Sequence, residues 1–307
     1  MVMLSRCLRS LLIFACSVSL MRADFTMGYE IIVEVPAAVK AAVAEQLQKS
    51  VQAQLPPFLT IQVKDDRGFW GTSKFKTVVD YSTKQVTVID SVGKRFATIP
   101  MDRYPAAANA AMPEPTAAAQ AGAAKANFTT RKTGRTQIVL GLPTEEYEAT
   151  LSLPAPVALA GRYSSQVAKT VMRLWMAKPE DLLHIGVSYS MDKMSWFIIH
   201  MNPAVYLQKA VGRYPSYGDE FASYITQLSK DGALVMQAEL DVYAPTLNMV
   251  GRELAGESPV LPPDTLVLQV SEEIQGLAFD LLENAAFNVP VDYDEVDVKE
   301  LLRPYTP

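Results

Sequence analysis

The chain has 307 residues, 49% of them hydrophobic, and a formal net charge of −5. This length permits one large domain with a sizeable buried core. The acidic balance argues against a nucleic-acid partner, which selects for basic surfaces, and against docking on anionic lipid headgroups. A modest negative charge also simply keeps a protein soluble.

Residues 1–23 have the pattern of a secretory signal peptide. The segment opens with two arginines and no acid, continues with an apolar run over 11–21, and ends with Ala23 before Asp24. A basic start, a short apolar stretch and a small residue before the cleavage site are typical of exported proteins. The apolar run is shorter than the about 20 residues of a membrane-spanning helix. We therefore predict export to a periplasm or to the extracellular space, with a mature chain that begins near Asp24.

Both cysteines, Cys7 and Cys16, lie inside this segment. Cleavage after Ala23 leaves a chain with no disulfide, no thiolate nucleophile and no cysteine-ligated zinc site. It also removes three of the 28 basic residues and none of the 33 acidic ones, which changes the net charge from −5 to −8. Lipid anchoring at Cys16 is the minor alternative, because residues 13–16 loosely resemble a lipoprotein cleavage box in which Phe14 fits poorly.

Alternation of apolar and polar residues predicts many half-buried strands. Such a pattern puts one face of a strand in the core and the other in water, as in antiparallel sheets. Two of the segments, 77–82 and 85–90, form a predicted hairpin that turns near Thr83 and Lys84. The predicted strands cover 25–35, 58–64, 77–82, 85–90, 136–140, 147–153, 171–177, 234–242 and 266–271.

Three amphipathic helices are predicted between these strands. Residues 36–54 carry apolar side chains at four-residue spacing, which makes one apolar stripe. Residues 202–212 begin with an Asn-Pro pair and end at a glycine. Residues 219–230 have acids in the first turn, a lysine in the last turn and a glycine shortly after it.

An alanine- and proline-rich stretch, 105–126, is predicted to be a flexible insertion. Of the 21 residues from 105 to 125, eleven are alanine and three are proline, so the segment has little to bury. An alanine-rich helix is the alternative, which Pro113 and Pro115 would interrupt. The remaining segments, 24–104 and 127–307, are predicted to form one domain, with two subdomains hinged at the insertion as the alternative.

These elements predict an α+β fold. Its centre is a strongly curved antiparallel sheet, an incomplete and half-open barrel, with helices covering the concave face.

No catalytic motif is present, and we predict a non-enzymatic protein with no catalytic, cofactor-binding or metal-binding residues. A zincin needs two histidines at helical spacing, whereas His184 and His200 are sixteen residues apart. Residues 186–190 resemble a nucleophile elbow but have Ser190 in place of its second glycine. Residues 68–71 lack the spacing and the lysine of a phosphate-binding loop, and their aromatic side chains suit an exposed hairpin tip.

Four acids near the C-terminus, Asp292, Asp294, Glu295 and Asp297, are a weak candidate for calcium. Their spacing does not match an EF-hand loop, so we interpret them as a solvated acidic segment.

The remaining feature of the sequence that points to a function is its high content of apolar side chains. Residues 171–176 are apolar on both strand faces: Met172, Leu174 and Met176 share one face, and Val171 and Trp175 the other. Such a strand is either covered by other elements of the core or lines a cavity for a hydrophobic ligand.

Four segments of the sequence follow one another in a recognisable order. They are a Thr-Gly pair and an apolar strand at 133–142, a charged strand at 146–148, a tryptophan strand at 171–179 and the segment Phe-Asn-Val-Pro-Val-Asp-Tyr at 287–293. This order resembles an uncharacterised family of secreted bacterial proteins, which in turn is similar to the periplasmic lipoprotein carriers of the LolA/LolB type. The resemblance implies an unclosed antiparallel barrel whose hollow is lidded by helices, and it implies no catalytic residues.

The function predicted first is therefore a carrier or sensor of an apolar ligand such as a lipid or an acyl chain. Partners in the cell envelope remain open, and a structural or interaction protein of the envelope without a cavity is the alternative. A serine hydrolase that uses Ser188 comes third.

Overall fold

The computed structural model describes residues 24–39, 44–45, 48–49, 52, 56–72, 74–110, 127–159, 162–184, 215–229, 233–244, 261–279 and 281–302. The strands are β1 Phe25–Glu34, β2 Phe58–Lys64, β3 Arg67–Gly71, β4 Phe75–Asp80, β5 Gln85–Asp90, β6 Arg95–Pro100, β7 Asn127–Val139, β8 Leu142–Leu159, β9 Arg162–Ala177, β10 Leu234–Tyr243, β11 Leu266–Ala278 and β12 Asp294–Glu295. The helices are α1 Tyr104–Ala110, α2 Pro179–His184, α3 Pro215–Ser229 and α4 Val298–Leu302, with a 3-10 turn over Asn284–Phe287.

These strands form one open sheet. Their order is β12-β6-β5-β4-β3-β2-β1-β11-β10-β9-β8-β7. The neighbours are antiparallel except for β12 and β6, which run parallel. The described chain is thus mostly β, with a few helices, and the α+β class with an unclosed antiparallel sheet is confirmed in this form. Because β1 pairs with both β2 and β11, the sheet joins strands from both sides of the stretch 105–126.

One face of the sheet, here called face A, carries most of the core. Alternate residues of a strand point to opposite faces, and the odd-numbered residues of β1 are buried. The strand register extends this face in both directions. One row across it is Tyr147, Leu174, Ala238, Glu272 and Ile31; another is Met27, Ile61, Trp70, Thr77, Val88 and Ala97. The opposite face is called face B.

Helices contact face A at both ends of the sheet. Tyr104 of α1 packs edge-on against Trp70 of β3, with ring centroids 6.3 Å apart, and α4 contacts α1, β5 and β6. At the other end, Phe221 of α3 packs against Phe128 of β7 at 5.4 Å. Burial of these aromatic rings is what fixes the helices to the sheet.

The segment before β12 covers face B of β3–β6. Phe287 is buried against Phe69, with ring centroids 5.8 Å apart. Lys76 donates a hydrogen bond to the backbone oxygen of Ala286 at 2.8 Å, and the Arg67 guanidinium donates to the side chain of Asn288 at 3.1 Å. The Phe-Asn-Val-Pro-Val-Asp-Tyr segment of the sequence therefore serves here as the cover of a second, smaller core cluster.

Two predictions in the first third of the chain are wrong. Residues 105–110 are helical as part of α1, not loop, because alanine has the highest helix propensity and proline is tolerated in a first turn. The rest of the predicted insertion lies outside the described residues. Residues 68–71 belong to β3 rather than to an exposed hairpin tip, and Trp70 is buried.

The predicted helices have mixed outcomes. Within 36–54, the described residues Ala44, Glu45, Gln48, Lys49 and Gln52 are helical. The helix predicted for 219–230 is found as α3, four residues longer at its start. The helix predicted for 202–212 lies outside the described residues.

Two hairpin turns repeat the same chemistry. In the turn after β4, the Asp80 carboxylate accepts hydrogen bonds from the backbone N–H of Ser82 and Thr83. In the turn after β5, Asp90 accepts from Val92 and Gly93 in the same way. Such side-chain acceptors satisfy turn donors that the ladder cannot reach. Asp90 additionally pairs with Arg95 at 2.8 Å.

The change Asp90→Ala is expected to lower the free energy of unfolding by about 1.5 kcal/mol, because it leaves two turn N–H groups without their acceptor. Burial acts to raise the pKa of Asp90, but the hydrogen bonds from Gly93, Arg95 and Val92 outweigh it and lower the pKa. Urea denaturation measures the loss. Asp80→Ala is the matched control, and it should cost less because no arginine pairs with Asp80 among the described residues; an equal cost would contradict this account.

Candidate functional site

The centre of face A is an apolar surface built by β8, β9, β10, β11 and β1. Its side chains occupy alternate positions of strands in which about every second residue is apolar. Because alternate residues of a strand point to the same face, these side chains lie together. The fully or almost fully buried members are Met27, Tyr29, Ala149, Leu151, Met172, Leu174, Met176, Met236, Ala238, Leu240, Val270 and Ile274. Four of the twelve are methionines, whose unbranched chains adapt to irregular shapes.

One acid interrupts this apolar surface. Glu272 of β11 lies between Ile31 of β1 and Ala238 of β10 in the strand register. Its neighbours on the same strand face, Val270 and Ile274, are buried and apolar, and Glu272 itself is only 4% exposed. Within the described part of the chain, its carboxyl has no hydrogen bond and no ion pair.

Burial raises the pKa of the Glu272 carboxyl to about 8. The cause is desolvation, since an apolar environment disfavours the charged form and no described cation opposes this effect. At neutral pH the group is therefore mainly protonated, and it presents one O–H donor and one carbonyl acceptor to face A.

Tyr29 is the other polar side chain near this point. Its hydroxyl donates a hydrogen bond to the backbone oxygen of Val235 at 3.0 Å, so its polar end is satisfied within the sheet. Buried polar groups are normally hydrogen-bonded, as the Tyr29 hydroxyl is. The Glu272 carboxyl differs, because it has no hydrogen bond within the described residues.

Face B of the same strands carries a group of acids that are paired with cations. Arg173 of β9 contacts Glu239, Asp241 at 2.7 Å and Glu148 at 3.4 Å. Burial acts to lower the pKa of Arg173, but Asp241 and Glu239 outweigh it and raise the pKa. We define the Arg173 network as Arg173 with these three acids.

A second ion pair on face B joins β7 and β8. Glu146 is fully buried beneath Arg135 and Thr133, both of which bond to its carboxylate. The bulge between Lys132 and Thr136 contains Thr133 and Arg135 and brings both over this acid. Glu146 and the acids of the Arg173 network are thus paired with cations, whereas Glu272 is an unpaired acid.

The structure separates the candidate residues that the sequence offered. His184 is exposed at the end of α2, and His200 and residues 186–190 lie outside the described residues. Asp292, Asp294, Glu295 and Asp297 are exposed, as predicted for a solvated segment, and Asp292 pairs with Lys94 at 2.7 Å. Among the described residues, no group of three or more potential ligands is arranged to hold a metal ion.

Residues 171–176 behave as the alternation indicated. Met172, Leu174 and Met176 are buried on face A, while Val171 is buried and Trp175 half-buried on face B. Glu272 was missed although the sequence contains its signal. Leu268 and Val270 point to face A, and continuation of the two-residue period places the next such residue at 272, where an acid stands.

The sequence matches no model of a known protein family and none of the curated proteins with which it was compared. The similarity to lipoprotein carriers of the LolA/LolB type therefore stays a prediction. Among the helices that the structure describes, none combines the length and the apolar composition that crossing a membrane requires.

Proposed function

We propose that the chain is an exported, non-enzymatic protein that binds or carries an apolar ligand, such as a lipid or an acyl chain, against face A. The observation that carries the proposal is the apolar surface itself, which crosses five strands of an open sheet and is rich in methionine. Removal of apolar surface from water contributes about 25 cal/mol per Å². Part of this gain offsets the loss of freedom on association.

The proposal includes a finer form of the fold. In that form the sheet curves into a half-open barrel, face A is concave, and helices cover it. Support comes from the contacts of α1 and α4 at one end of face A and of α3 at the other. A ligand would then lie between the helices and the central strands, which is where lipid-binding sheets keep their cavities.

Ligand binding is tested on the full chain after expression with its own leader. Native mass spectrometry and solvent extraction are expected to detect co-purified lipid, and a pyrene-labelled fatty acid methyl ester is expected to bind the delipidated protein. If no lipid is extracted and the probe does not bind, the proposal is overturned.

The change Ala238→Leu is expected to weaken binding of this probe about tenfold, because added methyl groups occupy volume on face A. Val171→Leu is the matched control, since Val171 is buried on face B next to Asp241. Fluorescence titration measures both affinities, and circular dichroism verifies that each variant is folded. Equal affinities in the two variants would exclude face A as the binding surface.

A structural or interaction protein of the cell envelope is the second candidate. It is favoured by the completeness of burial on face A, where Met172, Leu174 and Met236 have no exposed surface. In a protein whose core is entirely filled, the same side chains serve stability alone. The extraction and titration experiments distinguish the two candidates directly.

Asp24, the first residue after the proposed cleavage site, belongs to the part of the chain that the structure describes. Its carboxylate pairs with Lys64 at 2.8 Å and accepts a hydrogen bond from the backbone N–H of Leu282 at 2.9 Å. The fold thus includes the residue at which the proposed mature chain begins.

Intact-mass measurement of the protein from the periplasm is expected to give a chain that begins at Asp24 and does not react with a maleimide, because both cysteines are removed. A mass that corresponds to a lipidated Cys16 would contradict this prediction and favour an anchored protein.

A further inference from the structure

We propose that Glu272 is the polar contact of the ligand on face A, and that its protonated carboxyl donates a hydrogen bond to the carbonyl oxygen of an acyl chain. The inference rests on the proposed function, and it adds the chemical class of the ligand. The ligand it selects is apolar over most of its length and carries one ester or carboxylic-acid group.

The first support is position. Glu272 lies in the middle strands of the sheet, with β1 on one side and β10 and β9 on the other. It stands in a row with Leu174, Ala238 and Ile31, all on face A. Ala238 is the smallest side chain in this row, and it is fully buried.

The second support is the absence of another partner among the described residues. Tyr29, which lies on face A of the neighbouring strand β1, donates to Val235. At the β7–β8 end of this face, Lys132 bonds to Glu145, and Tyr147 also donates to Glu145. At the β5–β6 end, Arg95 pairs with Asp90. No described group therefore competes with a ligand for the Glu272 carboxyl.

The third support is chemical. An unpaired carboxyl in an apolar environment is costly to a fold that has no use for it, and leucine at this position would avoid the cost. A protonated carboxyl supplies a donor that matches a carbonyl acceptor without burying a net charge. An ammonium ligand would require the ionised acid, and a buried ion pair is repaid only when further hydrogen bonds satisfy it, which the described surroundings of Glu272 do not offer.

The test compares two probes that differ only in the carbonyl group. These are a pyrene-labelled fatty acid methyl ester and a pyrene-labelled alkane of matched length, each titrated into the full chain. Neither probe ionises, so any dependence on pH belongs to the protein. We expect the wild type to bind the ester about tenfold more tightly than the alkane near pH 6, and this preference to disappear near pH 9.5, where the carboxyl is ionised.

Two variants complete the experiment. Glu272→Leu is expected to bind both probes equally at every pH, and Glu272→Gln to retain the preference for the ester without its pH dependence, because an amide N–H still donates. If the wild type binds both probes equally, or binds a matched alkyl amine more tightly than the ester, this inference fails while the proposed function stands. If neither probe binds, the proposed function fails as well.

Discussion

Replacement of Glu272 by glutamine is expected to make the protein more stable in alkaline solution and to remove a large part of its pH dependence. The pKa of the carboxyl is about 8 in the folded chain, against an ordinary value of 4.5. Between these values the folded state retains a proton that the unfolded state has released. The contribution of this group to the free energy of unfolding is therefore fully present below pH 4.5, and it is lost as the pH rises from 4.5 through 8.

The slope of this loss approaches about 1.4 kcal/mol per pH unit within the window, since that is the free energy of one pKa unit. The full effect is on the order of 5 kcal/mol above pH 8. Glutamine has the same shape and does not ionise, so Glu272→Gln should match the wild type near pH 4 and exceed its stability near pH 9.

Urea denaturation across the pH range measures the effect. The control is Glu273→Gln, because Glu273 is the next residue on β11 but is exposed on face B. It should leave the pH profile almost unchanged. If Glu272→Gln has the same profile as the wild type, the carboxyl is not held in the apolar environment described above.

Removal of the Arg173 side chain is expected to have the second large effect. The change Arg173→Met keeps most of the side-chain length but leaves Glu148, Glu239 and Asp241 without their shared cation. Because Asp241 is only 6% exposed and Arg173 only 20%, the charges left behind are poorly solvated. Loss of one partner from such a network costs about 3 to 5 kcal/mol.

The matched control is Arg131→Met. Arg131 also pairs with Glu148, at 2.8 Å, but its side chain is 68% exposed, and exposed pairs contribute about 0 to 1 kcal/mol. Thermal or urea unfolding measures both variants. In Arg173→Met, the additional change Asp241→Asn should restore part of the stability by removing one uncompensated charge. Equal losses for the two arginines would show that burial of the network does not govern its strength.

Much of the sheet was predictable because its strands alternate without interruption. β1, β2 and β10 were each predicted to within one residue. Strand β3 was missed because its glycines and adjacent aromatics break the period of two. β8 and β9 extend well beyond the predicted segments, since prolines and serines follow or precede the alternating part.

The order of the strands could not be predicted from these local patterns. Alternation assigns a residue to one face of a strand but does not say which strand lies beside it. Glu272 illustrates this limit. The period along β11 indicates that its side chain faces the core, yet only the pairing with β1 and β10 shows that its neighbours are apolar and uncharged.

The pairing of β1 with β11 has a consequence for how the molecule is made. Tyr29 lies opposite Ile274, so the middle of the sheet joins two segments that are far apart in the sequence. Contacts this distant in sequence form slowly, because a long loop must close before they contribute. Under the export proposed above, the sheet would therefore stay incomplete until β11 has emerged from the secretion channel.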